Sequence, residues 1–421
     1  MQKSKLHPEN IKIEDFQYDL PEDRIARFPL SERDASKLLI YKQGEIQETV
    51  YKNISSHIPA ESLLLFNQAK VVHARLYFKK STGGKIEIFC LEPDSRYADI
   101  TTAMSQENEV YWKCIMRGAS KWKDDSALEL KVEYSTSTGK RTLTAKARKI
   151  HREGQTFILQ FTWKSEEKEN ISFSEFLELA GDIPIPPYLK RKAEKSDEET
   201  YQTIFAKNEG SVAAPTAALH FTPAILENLQ QKNIRLDELT LHVGAGTFMP
   251  VKSDQMKDHE MHAEWIEISL STLKDIYQQI QKKKKIICIG TTSARTIESA
   301  YWIGVQILKN QWKNEQPIAV SQWYPYETKS DFSNLEALKA LIEFLEKNKQ
   351  AQLITRTQII IAPGYDFKIL DGLITNFHQP ASTLLLMISA LVGEDWKKIY
   401  QYALENNFRF LSYGDGSLLW R

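Results

Sequence analysis

Apolar and polar positions follow two different periods along this chain, and the changes of period divide it. Leu38 to Tyr41 and Leu63 to Phe66 read as short strands. From Val71 to about Trp163 the period is two, in short segments at Ala74 to Phe78, Lys85 to Leu91, Tyr111 to Met116, Leu128 to Tyr134, Arg141 to Ala147 and Thr156 to Phe161. Turn sequences such as Ser81-Thr82-Gly83-Gly84 and Ser137-Thr138-Gly139 separate them, and short strands joined this way predict a small closed barrel. Helical spacing returns at Phe173 to Leu179. Gly181 to Pro187 then excludes helix with its prolines and reads as an extended linker.

Beyond the linker, strand and helix alternate. Thr222-Pro223 starts a helix, with threonine capping free amides and proline at the first helical position, and Ile225, Leu226 and Leu229 share one face. Leu239 to Val243 alternates and ends abruptly at Gly244-Ala245-Gly246, as a strand does when it delivers a loop to a sheet edge. Ile286 to Ile289 leads into a helix from Ala294, Leu370 to Phe377 into another from Ser382, and a further helix covers Leu335 to Lys347. Such alternation predicts an α/β class, an α/β layered domain with a largely parallel sheet. In multidomain terms it is α+β: residues 1–70 and 166–421 form the layered domain, and residues 71–165 form the inserted small β-barrel domain.

Composition narrows the class further. A chain of 421 residues exceeds what one core usually serves, and 42% hydrophobic with 26% charged residues is ordinary for a globular protein. The polar start lacks a signal peptide's apolar core, and the longest apolar stretch, Leu384 to Val392, is interrupted by Ser389 and too short for a bilayer, so it reads as a buried helix. Cys90, Cys114 and Cys288 are the only cysteines and have no paired spacing for zinc or a disulfide framework, which fits a reducing cytoplasm. The net charge of zero hides an asymmetry: Val71 to Ser165 holds 17 Lys and Arg against 11 Asp and Glu, or +6, leaving −6 elsewhere. A basic module on an acidic body is compatible with RNA. The Lys282 to Lys285 run reads as solvated or as neutralising a helix end, and Gln311 to Thr357 is Lys/Glu/Gln-rich without visible chemistry.

Candidate chemistry gathers in five places. Four of the nine histidines, His220, His242, His259 and His262, fall within forty-three residues, and the first two sit beside backbone breaks. A lone histidine is usually a satisfied core residue; clustering argues for more. The Gly244-Ala245-Gly246 turn looks like a nucleotide loop, but Met249-Pro250-Val251 denies it the following helix, so it offers only close backbone approach. His259 to Glu264 has imidazoles three apart and no cysteine, a poor zinc spacing. Gly290 to Arg295 joins strand to helix, where hydroxyls and free amides suit a carboxylate or phosphate; simple N-capping by Thr292 or Ser293 is the alternative. Asp371 and His378 bracket a strand ahead of the cap Ser382-Thr383, and Asp415 reads as a turn residue.

At these residues the sequence resembles the S-adenosylmethionine:tRNA ribosyltransferase-isomerase family of queuosine biosynthesis. The matching stretches include Arg33 to Ser36, Ala74-Arg75-Leu76, Pro184 to Tyr188, Tyr201-Gln202-Thr203, Gly210 to Phe221, Leu241 to Phe248, His262 to Trp265, Gly290 to Ser299, Ile374 to Leu385 and Phe410 to Asp415. Ala218 replaces an expected glycine, Arg117-Gly118-Ala119 lacks an expected proline, and residues 311–357 are longer than the family leads one to expect.

The resemblance implies an α/β domain interrupted by a β-barrel, and transfer with isomerisation of the ribosyl part of S-adenosylmethionine onto 7-aminomethyl-7-deazaguanine at the tRNA wobble position. Epoxyqueuosine-tRNA, adenine and methionine would be the products. S-adenosylmethionine is then a substrate, and no cofactor and no metal is expected; the partner is tRNA, with no membrane, and a cytoplasmic monomer is expected. The sulfonium acidifies the adjacent ribose carbon, so a base must remove that proton and a donor must help adenine leave. His220 and His242 are the expected bases, with Asp371 and His378 orienting the amine or protonating adenine. Thr216, Gly244, Gly246, Thr247, His262, Glu264, Thr291, Thr292, Ser293, Arg295 and Asn376 are expected around the substrates. Two other readings compete: a catalytically silent tRNA-binding protein on the same scaffold, and a metal-dependent hydrolase using His259 to Glu264.

Overall fold

A computed structural model describes residues 7–122, 126–136, 139–166, 170–244, 251, 253–312 and 318–421. Its strands, in chain order, are β1 (Lys37–Lys42), β2 (Glu45–Val50), β3 (Leu63–Asn67), β4 (Ala69–Val71), β5 (Arg75–Lys79), β6 (Lys85–Pro93), β7 (Glu109–Arg117), β8 (Leu128–Thr136), β9 (Gly139–Glu153), β10 (Thr156–Ser165), β11 (Asn208–Ser211), β12 (Arg235–His242), β13 (Glu264–Ser269), β14 (Ile286–Ile289), β15 (Gln352–Thr357), β16 (Gly372–Asn376) and β17 (Gly416–Trp420). Nine of these form one sheet in the order β15-β13-β12-β3-β14-β16-β17-β1-β2. Its centre, β12-β3-β14-β16, is parallel, and both flanks carry antiparallel pairs.

The parallel strands read as unbroken apolar runs because both their faces are covered. Every residue of β3, β14 and β16 is buried. Two long helices, α1 (Thr291–Leu308) and α2 (Asn334–Lys347), pack on one face through Ile297, Ala300, Leu338 and Leu341. They approach closely at Gly304, where a Cβ would stand 2.1 Å from the Ala337 carbonyl. The other face is covered by Pro223–Gln231, whose Ile225 and Leu229 are buried and whose Thr222 side chain accepts from Ile225 N, as the sequence predicts. A third helix, α3 (Thr383–Val392), is the predicted buried apolar stretch.

The six predicted short strands are β5 to β10, and they close a barrel in the order β10-β7-β6-β5-β8-β9. The helix Phe173–Ala180 stoppers it: a Ser172/Glu175 capping box fixes its start, and Phe173 and Phe176 insert among Trp112, Phe161 and Trp163. Inside the barrel Cys90 and Cys114 are direct cross-strand neighbours, a proximity that their separation in sequence conceals. Beyond the barrel the linker edge is recruited, since Asp182 bridges to Arg75, and β4 pairs with β11 to tie barrel to sheet. Among the described residues no helix is long and apolar enough to cross a membrane.

Candidate active site

β3, β14 and β16 run parallel, so their carboxyl ends open on one edge of the sheet, where ligand clefts of α/β folds form. A cleft lies there. It is walled by Ala213 to Ala217, Gly290 to Thr292, Thr375 to Gln379 and Ser382 to Leu384, and is faced by Tyr188, Tyr201, Leu411 and Ser412. It encloses about 850 Å³ including its open mouth.

Two helix N-termini converge on this space. Gly290 leaves β14 at φ 90°, a conformation that favours glycine, and α1 begins with no side-chain cap. The hydroxyl of Ser293 donates back to the Ile289 carbonyl at 2.9 Å rather than capping. Thr291 and Thr292 therefore present first-turn amides and the positive end of the helix dipole to the cleft. The Thr292 hydroxyl oxygen is buried and has no partner among the described residues. Opposite it, Ser382 caps Leu385 N at 3.2 Å, which fixes the start of α3 and leaves Thr383 and Leu384 on the cleft wall. Such an arrangement holds anions.

Between the two termini runs a hydrogen-bonded chain. The Thr216 hydroxyl donates to Asn376 Oδ1 at 2.8 Å, and Asn376 Nδ2 faces His220 Nε2 at 3.5 Å. His220 Nδ1 lies 3.2 Å from the Arg33 carbonyl, which can only accept, so Nδ1 carries the proton and Nε2 accepts. The imidazole stacks on Tyr51 at 4.2 Å, and burial pulls its pKa down to about 4. It stays neutral near pH 7. Thr216 and Asn376 line the cleft; His220 stands one layer behind them.

His378 is the imidazole that lines the cleft itself. Its Nε2 lies 2.9 Å from the Thr375 hydroxyl, leaving Nδ1 without a partner among the described residues. The backbone is pinned on both sides, with its N–H donating to Tyr400 at 3.0 Å and its carbonyl accepting from Tyr18. Burial pushes this histidine down to about 3, so it too is neutral.

Other expected site residues lie elsewhere. His242 alternates with the cleft-lining Val243 and so points away from the cleft; its Nε2 pairs with Glu267 at 3.0 Å, and its Nδ1 is buried near Gly210 without a partner among the described residues. Asp371 occupies the opposite end of β16, bonded to Lys285 and to Ile286 N, and does not reach the cleft. Arg295 is buried and engaged by Glu264 and by the Ile359 carbonyl, with its Nη2 unpartnered among the described residues, and neither member of the pair lines the cleft. Glu264 also accepts from Gly244 N at 3.1 Å. His262 is exposed, and Gly246 and Thr247 lie outside the described residues. Asp415 accepts from Lys37 N and Arg409 N, the structural part expected of it. Among the described residues no three of His, Cys, Asp or Glu gather as metal ligands.

The cleft also contains residues from the family-matching stretches that were not among the expected site residues. Tyr188 and Ser412 share a 2.5 Å hydrogen bond. Tyr201 is fully buried, and among the described residues its hydroxyl meets no partner in hydrogen-bond geometry, although Ser412 and Ala214 lie close by. Their signal was present in Pro186-Pro187-Tyr188 and Tyr201-Gln202-Thr203, where an aromatic follows a rigid or polar stretch without belonging to a periodic element.

Against this geometry stand the likenesses to known proteins. A family model described as queuosine biosynthesis protein matches residues 13–419. An S-adenosylmethionine:tRNA ribosyltransferase-isomerase from Halothermothrix orenii is 36% identical over 421 residues, covering 97% of this chain and all of that one. One from Rickettsia bellii is 35% identical over 413 residues, 98% and 99% of the two chains. A solved S-adenosylmethionine tRNA ribosyltransferase from Thermotoga maritima is 24% identical, covers 96% and 99%, and superposes with a TM-score of 0.45.

Proposed function

The chain belongs to the queuosine biosynthesis protein family, and from that premise we infer that it transfers and isomerises the ribosyl part of S-adenosylmethionine onto tRNA. It is an enzyme, and S-adenosylmethionine and tRNA are its substrates. The observation that carries this is the end-to-end match with relatives of that activity. A silent tRNA-binding scaffold is not favoured.

Within that activity, the cleft at the carboxyl ends of β14 and β16 is the reaction chamber. The amides and hydroxyls of Thr291 and Thr292 receive an anionic group, for which the methionine carboxylate is the chemically matched part of the substrate. Thr216 and Asn376 hold polar atoms of the nucleoside, with His220 fixing the amide orientation of Asn376 from behind. His378 is the group placed to accept the ribose proton, since it is neutral, lines the cleft and has a nitrogen to spare. The receiving base is 7-aminomethyl-7-deazaguanine at the wobble position, and the product is epoxyqueuosine-tRNA. This assignment moves the proton acceptor from His220 and His242 to His378 on grounds of access alone.

The test is direct. Protein, S-adenosylmethionine and tRNA bearing the aminomethyl base are mixed, and free adenine is followed by chromatography. Adenine release that requires both substrates supports the reading, and its absence rejects it. His378→Ala is expected to lower the rate by 10²- to 10⁴-fold, the usual weight of a general base. A rate near the parent's would return the role to another group.

A further inference from the structure

We propose that one outer face of the barrel is a second RNA contact, a lysine-lined groove that takes sugar–phosphate backbone away from the reacting base. The proposal rests on the reading that tRNA is the substrate. The groove encloses about 980 Å³ and lies across β5, β8, β9 and β10. Its geometry follows from strand register. Lys79 pairs with Glu129, Glu129 with Lys146, and Lys146 with Thr162, which makes one row across four strands. Two residues further along β8, Lys131 pairs with Thr144 and Thr144 with Lys164 in a parallel row. Neighbouring strands stand about 4.8 Å apart and alternate residues about 6.6 Å apart, so Lys79, Lys131, Lys146 and Lys164, one on each of four successive strands, mark a patch of about 14 Å by 7 Å. All four are exposed, because they occupy the outward phase of their strands.

Two acids oppose these cations in the groove. Glu129 is 3.8 Å from Lys146, with their side chains 70% and 58% exposed, a separation and exposure at which an ion pair holds little. Glu109 accepts a hydrogen bond from Gln160 at the groove's end. The lysines therefore outnumber the carboxylates, in line with the +6 balance of Val71 to Ser165. Tyr77, 39% exposed, adds an open aromatic ring at the rim. Several ammonium groups on flexible stems over a shallow surface suit a repeated point charge with no demand for sequence, which is a phosphate backbone. An acidic protein, or a second copy of this chain, is the competing occupant.

Two charge-reversed pairs test it, Lys131→Glu with Lys164→Glu and Lys79→Glu with Lys146→Glu, each repeated with Gln in place of Glu. Lys282→Glu with Lys283→Glu, near the amino ends of the parallel strands, serves as the control. Direct tRNA titration at several salt concentrations reads the groove independently of turnover. Each reversed pair is expected to weaken tRNA binding at least 10-fold and to flatten the log–log salt slope by one to two, with the Gln pairs showing the same slope change. The KM for S-adenosylmethionine, the melting temperature and the control pair stay as in the parent. Unchanged tRNA affinity and slope overturn the proposal, as does a change confined to the oligomeric state, which would give the face to a second copy. If the parent releases no adenine yet its tRNA affinity falls in the reversed pairs, the groove stands and the functional reading is what fails.

Discussion

Thr216 donates its hydroxyl to Asn376 Oδ1 at 2.8 Å, joining residues 160 positions apart at the mouth of the sheet. Asn376 ends β16 and Thr216 opens the turn Thr216–His220, so this bond sets the distance between two walls of the cleft. Asn376→Ala leaves the half-buried Thr216 hydroxyl and the buried His220 Nε2 without their partner, at about 1–3 kcal/mol for the buried one. The expected outcome is a loss of about 1–3 kcal/mol in urea unfolding and at least 10²-fold in kcat/KM. Thr216→Val removes one hydroxyl at constant volume and should cost about 10-fold in kcat/KM. Equal effects of the two variants would show that the chain does not act through Asn376.

The two cleft-side histidines fix a pH dependence. His220 and His378 have folded pKa values of about 4 and about 3, both below the unfolded value near 6.5, because burial disfavours the imidazolium. Between the folded and unfolded values the unfolded chain binds more protons, so stability rises with pH there. It is fully present above about pH 6.5 and is lost as pH falls toward 4 and then 3, by as much as a few kcal/mol per group. Urea midpoints measured from pH 8 to pH 4 should fall accordingly and recover partly in His378→Gln. The adenine-release profile should show no limb near 6.5 from either imidazole. A limb there that disappears in His378→Gln would mean that the histidine is solvated.

Much of this architecture was legible because burial leaves a periodic trace. All six barrel segments alternate, and Ile286 to Ile289 and Leu63 to Phe66 are continuous apolar runs, as strands covered on both faces must be. Four sheet strands gave weaker traces: β2 is half solvated, β13 follows the histidine-rich segment His259 to His262, β15 sits in a Lys/Glu/Gln-rich stretch, and β17 begins with Gly416-Ser417 and offers only three apolar residues. The candidate site was legible in type more than in direction. Gly290 to Thr292, Thr216 and Asn376 do line one cleft. Arg295 and Asp371 carry the right charges, but Glu264 and Lys285 had already claimed them, and no spacing in the sequence reports which buried partner a charge will find. Strand alternation alone was enough to turn His242 away from the cleft that Val243 faces.

Arg295 gives the sharpest contrast between a binding and a structural role. It and Glu264 are both buried, and Glu264 also holds Gly244 N, so the pair anchors β13 against α1. Arg295→Met leaves a buried carboxylate without its counter-charge and should cost about 3–5 kcal/mol in urea unfolding, while Arg295→Met with Glu264→Gln should cost less than the sum of the singles. The KM for S-adenosylmethionine of the folded fraction should stay within about 3-fold of the parent. A stable Arg295→Met protein with KM raised more than 10-fold would place the guanidinium on the substrate after all.

Tyr201 offers the clearest separation of stability from function, because the two are expected to move in opposite directions. Its ring is wholly buried against Tyr413 at 5.9 Å, and its hydroxyl faces the cleft side close to Ser412 and Ala214, with no partner in hydrogen-bond geometry among the described residues. Removing a buried, unsatisfied hydroxyl while keeping the ring is close to neutral or stabilising, so Tyr201→Phe should leave the melting temperature unchanged or raise it by a few degrees, on the order of 1 kcal/mol. If the hydroxyl waits for a polar atom of the nucleoside, the same substitution removes one hydrogen bond from the complex and should raise the KM for S-adenosylmethionine about 10-fold, as a net loss of about 1.5 kcal/mol requires. Thermal melts with and without S-adenosylmethionine check both halves at once: the ligand-free variant melts no lower than the parent, and its ligand-induced shift is smaller. A variant that melts lower without ligand and shifts as much with it would show that the hydroxyl is satisfied inside the folded chain and plays no part in binding.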